Sequence, residues 1–191
     1  MRSLAVLLLT TIAASWAFAQ QESIPLFPKI AIETNKGTIV VELDGNRAPI
    51  TVSNFVTDVR DGHYDGTIFH RVIPGFVAQS GGYVLDYEEK PTRGPIPNES
   101  GNGLTNDEGT IAMARQNPPH TATSQFFINL ADNDALNPNP RRWGYTVFGQ
   151  VVEGMDVLTA IAAVPTGSGG PFPSDVPQAP VIIESARLLE E

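Results

Sequence analysis

The chain has 191 residues, a length that suits one domain with its own hydrophobic core. It carries 12 Lys and Arg against 21 Asp and Glu, a formal charge of -9, which argues against binding to nucleic acid or to an anionic membrane surface. It has no cysteine, so disulfide bonds and thiol catalysis are excluded. Its 17 glycines and 16 prolines predict short strands joined by tight loops.

The first 19 residues have the features of a cleavable secretion signal. Arg2 precedes an apolar run from Leu4 to about Ala14, and residues 17–19 read Ala-Phe-Ala, the small-x-small pattern of a signal-peptidase site. The run is shorter than the roughly 20 apolar residues that a membrane span needs. We predict cleavage after Ala19, with a retained anchor and a buried helix as the alternatives. A short leader over residues 20–28 and one domain over residues 29–191 then follow.

The domain opens with a predicted hairpin and a helix. Apolar residues alternate with polar or small ones over 29–35 and 37–43, around the turn Asn35-Lys36-Gly37. Pro49 then begins a predicted helix that ends at Gly62. The apolar positions of this helix fall at i, i+3, i+4 and i+7, namely Val52, Phe55, Val56 and Val59.

The rest of the chain predicts five more strands, a closing strand and a second helix. The strands cover 66–73, 76–82, 109–115, 124–131, 145–152 and 181–190, and the helix covers 155–164, where Pro165 stops it. The intervening segments, including 165–180, read as loops. About eight short strands and two helices in one chain predict an antiparallel barrel or sandwich with two helices.

The sequence lacks the common motifs for metal binding, phosphate binding and nucleophilic catalysis. His63, His70 and His120 have no nearby residues at the spacing of metal ligands, so we expect no metal site. There is no phosphate-binding glycine motif and no nucleophile elbow around Ser80. An enzyme with this sequence would therefore work without a covalent intermediate and without proton transfer.

Three stretches carry a resemblance to a known family. The stretch FHRVIPGFVAQSGG (69–82) has an arginine within a predicted β-strand. GTIAMAR (109–115) and SQFFINL (124–130) follow it in the chain. Together they resemble the cyclophilin family of peptidyl-prolyl cis-trans isomerases, over residues 29 to 189, and the layout with a signal resembles its bacterial periplasmic branch. The resemblance implies an all-β fold, an eight-stranded closed antiparallel barrel capped by two α-helices, and an isomerase that needs no cofactor.

The resemblance also implies roles for individual residues. Arg71 would be the catalytic residue, on an outer face of the barrel where it need not be buried. The wall of the proline pocket would be made by Phe76, Met113, Phe127 and Leu136. Substrate contacts beside it would come from the polar anchors Gln79 and Gln125, the backbone edge at Ala114 and Arg115, the outer-site residues Val77 and His70, and Tyr145, which stands where many members have a histidine. Because neighbours on a strand face opposite ways, we expect Phe126 in the core and Phe127 at the site.

At two positions the sequence differs from the family pattern, and two alternative functions stay open. Ala135 stands where many eukaryotic members have a tryptophan that helps to bind cyclosporin, so we expect weak cyclosporin binding, and Gly82 replaces a common acidic residue. The expected substrates are X-Pro bonds of exported, partly unfolded proteins, with little further sequence preference, and we expect a monomer. The alternatives are a proline-binding chaperone or scaffold in which catalysis is incidental, and an envelope-anchored adaptor.

Overall fold

The computed structural model describes residues 24–190. The predicted signal and residues 20–23 of the predicted leader lie outside the described residues. Within them, ten strands, two α-helices and a short 3-10 helix at Asp134–Leu136 follow one another in the order β-β-α-β-β-β-β-β-α-β-β-β. Their bounds are β1 Lys29–Thr34, β2 Gly37–Leu43, α1 Pro49–Arg60, β3 Arg71–Ile73, β4 Val77–Ser80, β5 Thr110–Met113, β6 Phe126–Asn129, β7 Val147–Glu153, α2 Met155–Ala162, β8 Thr166–Gly169, β9 Phe172–Pro177 and β10 Ile183–Leu188.

Eight of these strands form one antiparallel sheet, in the order β10-β1-β2-β7-β5-β6-β4-β3. The predicted hairpin at the start of the domain is confirmed, since β1 pairs with β2 from Lys29–Glu42 to Thr34–Gly37. The fold is mainly β with two helices, as expected. The prediction of a closed barrel is wrong, because the sheet curls into a half-barrel whose edge strands β3 and β10 share no ladder.

The opening between the edge strands has a local cause. Residues 66–70 were expected to extend β3, but the chain turns there, with the amide of Thr67 donating to the carbonyl of Tyr64 at 3.0 Å. The strand that remains has three residues, too few to continue a ladder to the far edge. The Ile68–Ile182 bridge and backbone hydrogen bonds of 2.8–2.9 Å between residues 66–69 and residues 181–183 link this segment to the start of β10, but they form no ladder between the two edge strands.

The core lies between the concave face of the sheet and helix α1. Phe55 of α1 packs against three aromatic rings at centroid distances of 4.8–5.5 Å, namely those of Tyr64, Phe126 and Phe148. The apolar positions predicted for this helix are all buried. Helix α2 is shorter than predicted and buries Leu158 and Ile161. No helix within residues 24–190 is long and apolar enough to cross a bilayer.

A second, two-stranded sheet of β8 and β9 occupies residues 166–177, where a loop was expected. Most of its residues are exposed or half-buried, so the sequence has no alternating apolar pattern to indicate the strands. The hairpin turns at Gly170, whose φ of +51° lies in the left-handed region that glycine adopts readily. It packs beside β3, and this contact brings Phe172 onto His70.

Candidate active site

A single row of residues runs across five strands of the sheet on one face. The register pairs Arg71 with Gln79, Gln79 with Phe127, Phe127 with Ala112, and Ala112 with Val147. Directly paired residues point to the same side of a sheet, so these five side chains share a face. The next row, of Val72, Ala78, Ile128 and Ile111, points the other way and is fully buried in the core. Strand alternation thus separates a site face from a core face.

Arg71 begins β3 at the end of this row and is half-buried. Its Cζ atom lies 5.9 Å from the centroid of the Phe76 ring, a cation–π distance. None of the salt bridges found among residues 24–190 involves this guanidinium. The arginine therefore presents an unneutralised charge beside an aromatic surface.

An apolar cluster lies next to Arg71 and is separate from the main core. Its buried members are Val77, Ala112, Phe127 and Val147, and its partly buried members are Phe76, Leu104, Ala114, Leu136 and Tyr145. The rings of Phe127 and Tyr145 meet edge to face at 5.6 Å between centroids. Because five of its members are only partly buried, the cluster offers an apolar surface to a ligand. We call it the site cluster.

Two glutamines border the site cluster and hold one another. The Gln79 side-chain nitrogen donates to Gln125 Oε1 at 2.9 Å, and the Ala114 amide donates to the Gln125 carbonyl at 2.9 Å. Gly82 makes room for this arrangement, because a Cβ atom there would lie 2.6 Å from Gln125 Cδ. The departure at Gly82 is thus coupled to the position of Gln125.

Arg115 stacks on the outer side of the site cluster. Its Cζ atom is 4.6 Å from the centroid of the Tyr145 ring. Beside it opens a cavity of about 270 Å³, lined by Gln79, Glu89, Thr92, Ala114, Arg115, Gln116, Thr121, Thr123 and Gln125. A polar recess therefore adjoins the apolar surface, along the edge formed by Ala114 and Arg115.

Two of the predicted site residues lie elsewhere. The expectation that Met113 walls the pocket is wrong: it pairs with Phe126, faces the core and is 1% exposed. His70 is also buried, between the rings of Tyr83 at 4.8 Å and Phe172 at 5.4 Å, away from the site cluster. Both positions follow from strand alternation, because successive residues point to opposite faces of a sheet. Ala112 faces the site on β5, so its neighbour Met113 faces the core, and Arg71 faces the site on β3, so its neighbour His70 points away from it.

The environment of His70 changes its acidity. Burial lowers the pKa of His70 to about 4, a backbone hydrogen bond with Ile68 opposes this effect, and the charge of Arg71 adds to it. Its Nδ1 atom has no hydrogen-bond partner among the described residues. His70 is therefore a neutral aromatic residue that ties β3 to the β8–β9 hairpin.

The structure brings the other predicted site residues together in or beside the site cluster. The sequence-based prediction did not include three members of this cluster, namely Leu104, Ala112 and Val147. Val77 lies in the cluster itself rather than in an outer site. Ala112 and Val147 could have been found by counting two residues from Ala114 and from Tyr145 along their strands. Leu104 lies in a loop without periodicity, so no sequence signal marked it.

Comparison with known proteins gives consistent matches. The chain matches the family described as cyclophilin type peptidyl-prolyl cis-trans isomerase/CLD over residues 29–188. A peptidyl-prolyl cis-trans isomerase of Streptomyces antibioticus is 55% identical over 84% of this chain and 98% of its own length. Peptidyl-prolyl cis-trans isomerase A of Dickeya dadantii is 46% identical over 97% of this chain and 95% of its own length.

The fold comparison agrees. The crystal structure of a cyclophilin type peptidyl-prolyl cis-trans isomerase from Cryptosporidium parvum matches with a TM-score of 0.71 and 26% identity, covering 86% of this chain and 99% of that chain. A structure of the same protein in the presence of the dipeptide Ala-Pro matches with a TM-score of 0.70.

Proposed function

The chain belongs to the cyclophilin-type peptidyl-prolyl cis-trans isomerases, and from this premise we propose that Arg71 catalyses the rotation of X-Pro bonds in exported proteins. The observation that carries the proposal is the unpaired guanidinium of Arg71 beside Phe76 and the site cluster. This arrangement places a permanent charge next to an apolar surface suited to a pyrrolidine ring.

The reaction needs electrostatic help at one atom. The barrier to rotation of an amide, about 20 kcal/mol, is the resonance that is lost as the C–N bond twists. In the twisted state the lone pair localises on the proline nitrogen, which becomes a better hydrogen-bond acceptor. The Arg71 guanidinium, which stays charged, would donate to that nitrogen more strongly than to the planar amide, and this is differential binding of the transition state.

The required acceleration matches what such a site can supply. Shortening the exchange from tens of seconds to about a millisecond is roughly four orders of magnitude, or about 5–6 kcal/mol. One well-placed donor contributes about 3–4 kcal/mol in other enzymes. The remainder would come from fixing the substrate, with the ring on Phe76, Phe127 and Leu136 while the chain on one side of the bond rotates.

The polar border of the site would hold the substrate backbone. The coupled amides of Gln79 and Gln125 and the edge at Ala114 and Arg115 lie beside the site cluster. They offer donors and acceptors to an extended peptide on one side of the rotating bond. No group in this scheme has to exchange a proton, and no cofactor takes part.

An exchange experiment tests the activity against the binding alternative. Cis/trans exchange of a capped Ala-Pro peptide is measured by NMR with wild type and with Arg71→Ala. We expect wild type to accelerate exchange and the variant to bind the peptide without accelerating it. If both proteins bind the peptide and neither accelerates exchange, the proline-binding chaperone or scaffold is favoured.

We propose further that the enzyme works in the periplasm as a monomer. The support is the signal-like sequence of residues 1–19 and the match to the Dickeya isomerase, which covers 97% of this chain and so extends into the N-terminal segment. The intact mass of the protein recovered from the periplasmic fraction should correspond to a chain that begins at Gln20. A mass that retains residues 1–19 favours the anchored adaptor, and sedimentation gives the oligomeric state.

A further inference from the structure

A loop that carries two arginines is rooted in the site cluster. We call residues 137–144 the lip. Leu136 precedes it and Tyr145 follows it, and the Tyr145 amide donates to the Leu136 carbonyl at 3.0 Å. Higher in the loop, Asn139 and Arg142 exchange two backbone hydrogen bonds of 2.9 and 3.1 Å. The lip is therefore a closed loop that projects from two members of the site cluster.

The lip is basic and partly aromatic. Arg141 and Arg142 are exposed, and Trp143 is 47% exposed. The Arg142 guanidinium donates to the carbonyl of Ala135 and, at 3.5 Å, to that of Asn137. This contact keeps its charge at the base of the lip, beside Leu136.

Arg115 supplies a second charge, held rigidly on the other side of Tyr145. Its Nε and Nη2 atoms donate to two carbonyls of the lip, Gly144 at 3.2 Å and Trp143 at 2.9 Å. Its Nη1 atom donates to the carbonyls of Gln116 at 2.8 Å and Asn117 at 2.9 Å. Carbonyl oxygens satisfy the N–H groups but carry no net charge, so the guanidinium keeps its full positive charge.

The salt bridges of the described residues lie away from the site. The salt bridges found among residues 24–190 join Lys29 to Glu42, Arg47 to Asp44, Arg93 to Asp58 and Asp61, and Arg187 to Glu33. None involves Arg71, Arg115, Arg141 or Arg142, which we call the cationic rim. A strongly acidic chain thus keeps four unpaired guanidinium groups around one site.

Carboxylates of the described residues also lie around the site and oppose the rim only in part. Glu89 lines the same cavity as Arg115, and Asp134 accepts a hydrogen bond from the Asn137 amide at 3.4 Å. Glu42, Asp44 and Asp107 line a second cavity with Leu104 and Val147 of the site cluster, and Glu42 and Asp44 pair with Lys29 and Arg47. Four guanidinium groups therefore face the three unpaired carboxylates Glu89, Asp107 and Asp134, which leaves a small local excess of positive charge. This excess contrasts with the formal charge of -9 of the whole chain.

We propose that the cationic rim makes the enzyme prefer X-Pro segments that carry Asp or Glu within a few residues of the proline. The inference rests on the proposed function and specifies its substrates. A peptide bound at the site cluster passes Arg115 or the lip, where an acidic side chain is attracted over a few ångströms. The repulsion by the remaining acidic surface acts over longer distances and is screened at about 0.1 M salt, where the Debye length is about 10 Å.

The preference is measured as a ratio of rates. NMR exchange gives kcat/KM for two capped peptides with a central Ala-Pro, one flanked by Glu on both sides and the other by the isosteric Gln. We expect the Glu peptide to be about three- to tenfold faster at 0.1 M salt. The ratio should approach one at 1 M salt, where the Debye length is about 3 Å.

Charge variants assign the preference to the rim. Arg141→Gln and Arg142→Gln should each lower the Glu/Gln ratio about two- to threefold, and Arg142→Lys should retain it because the charge stays. The ratio cancels any change common to both peptides. Lys36→Gln, in the turn between β1 and β2, removes the same charge outside the rim and should leave the ratio at its wild-type value.

Each failure has its own meaning. Equal rates for the two peptides at 0.1 M salt, or a ratio that Lys36→Gln lowers as much as the rim variants do, overturns the cationic rim while leaving the isomerase intact. Absence of acceleration for both peptides contradicts the proposed function itself.

Discussion

Phe126 and Phe127 are neighbours on β6, yet they belong to two different apolar clusters. Phe126 is fully buried in the main core, where it meets Phe55 and Tyr64 edge to face. Phe127 is 4% exposed and lies in the site cluster on the opposite face of the sheet. The sheet separates the two clusters by no more than the thickness of its backbone.

The two clusters differ in how they are closed. Helix α1 covers the main core, so its members have no further surface to bury. The site cluster has partly buried members at its margin, such as Phe76 and Leu136, and an unpaired arginine at its edge. An apolar cluster that the fold leaves incomplete can gain stability from a bound apolar ligand, so the same residue types serve stability on one face and binding on the other.

The sharpest test of this difference is a pair of truncations. Phe126→Ala should lower the free energy of unfolding by about 3–5 kcal/mol, because it leaves a cavity in a closed core. Phe127→Ala should lower the free energy of unfolding by at least about 1 kcal/mol less than Phe126→Ala does, and it should lower kcat/KM by more than tenfold. Urea denaturation and exchange NMR measure the two quantities, and leucine variants provide a milder pair. Equal losses of stability would show that the clusters form one core.

Arg71→Ala should separate activity from stability most cleanly. We expect kcat/KM to fall about 10²–10³-fold, as on removal of a single transition-state donor. The free energy of unfolding should change by less than about 1 kcal/mol, because the Arg71 side chain is half-buried and forms none of the salt bridges found among residues 24–190. Arg71→Lys keeps the charge without the planar fork and should recover only part of the loss. Full activity of Arg71→Ala would remove it from the mechanism.

His70 should make the stability of the folded protein depend on pH in the acidic range. Burial lowers the pKa of His70 from 6.5 to about 4, so between these values the unfolded chain binds a proton that the folded chain does not. The contribution of His70 to stability is therefore constant above pH 6.5 and falls by up to about 3 kcal/mol as the pH drops to 4.

The measurement is the pH dependence of unfolding. His70→Leu should flatten the wild-type curve between pH 6.5 and 4, while the carboxylates contribute equally to both proteins. Parallel curves for the two proteins over this range would contradict the burial of a neutral imidazole between Tyr83 and Phe172.

The smallest expected effect concerns Ala135 at the margin of the site cluster. Ala135→Trp should tighten cyclosporin binding about tenfold, which corresponds to about 1.4 kcal/mol, through the ring and the N–H of the indole. Ala135→Phe supplies a ring without the donor and should give a smaller gain. Calorimetric titration measures both, and no gain with tryptophan would show that this position does not limit drug binding.

The local patterns of the sequence determined much of the fold and of the site. Alternation gave the first hairpin and the opposite directions of Phe126 and Phe127, and helical spacing gave the buried face of α1. These features depend on neighbours within a few residues, which a sequence displays directly. The three motifs of the resemblance indicated the family, because its motif residues stay together in the chain.

Tertiary structure alone decided how the sheet closes and what lies at its margins. The half-barrel is open because β3 begins only at Arg71 and the segment before it forms no ladder with β10, and the β8–β9 hairpin forms although most of its residues are exposed or half-buried. Met113 lies in the core because the pairing of β5 with β6 determines which face of the sheet each residue occupies. The position of Arg115 on Tyr145 likewise depends on a loop that returns from far along the chain. Such contacts join residues of large sequence separation, and no local pattern records which distant partner each residue meets.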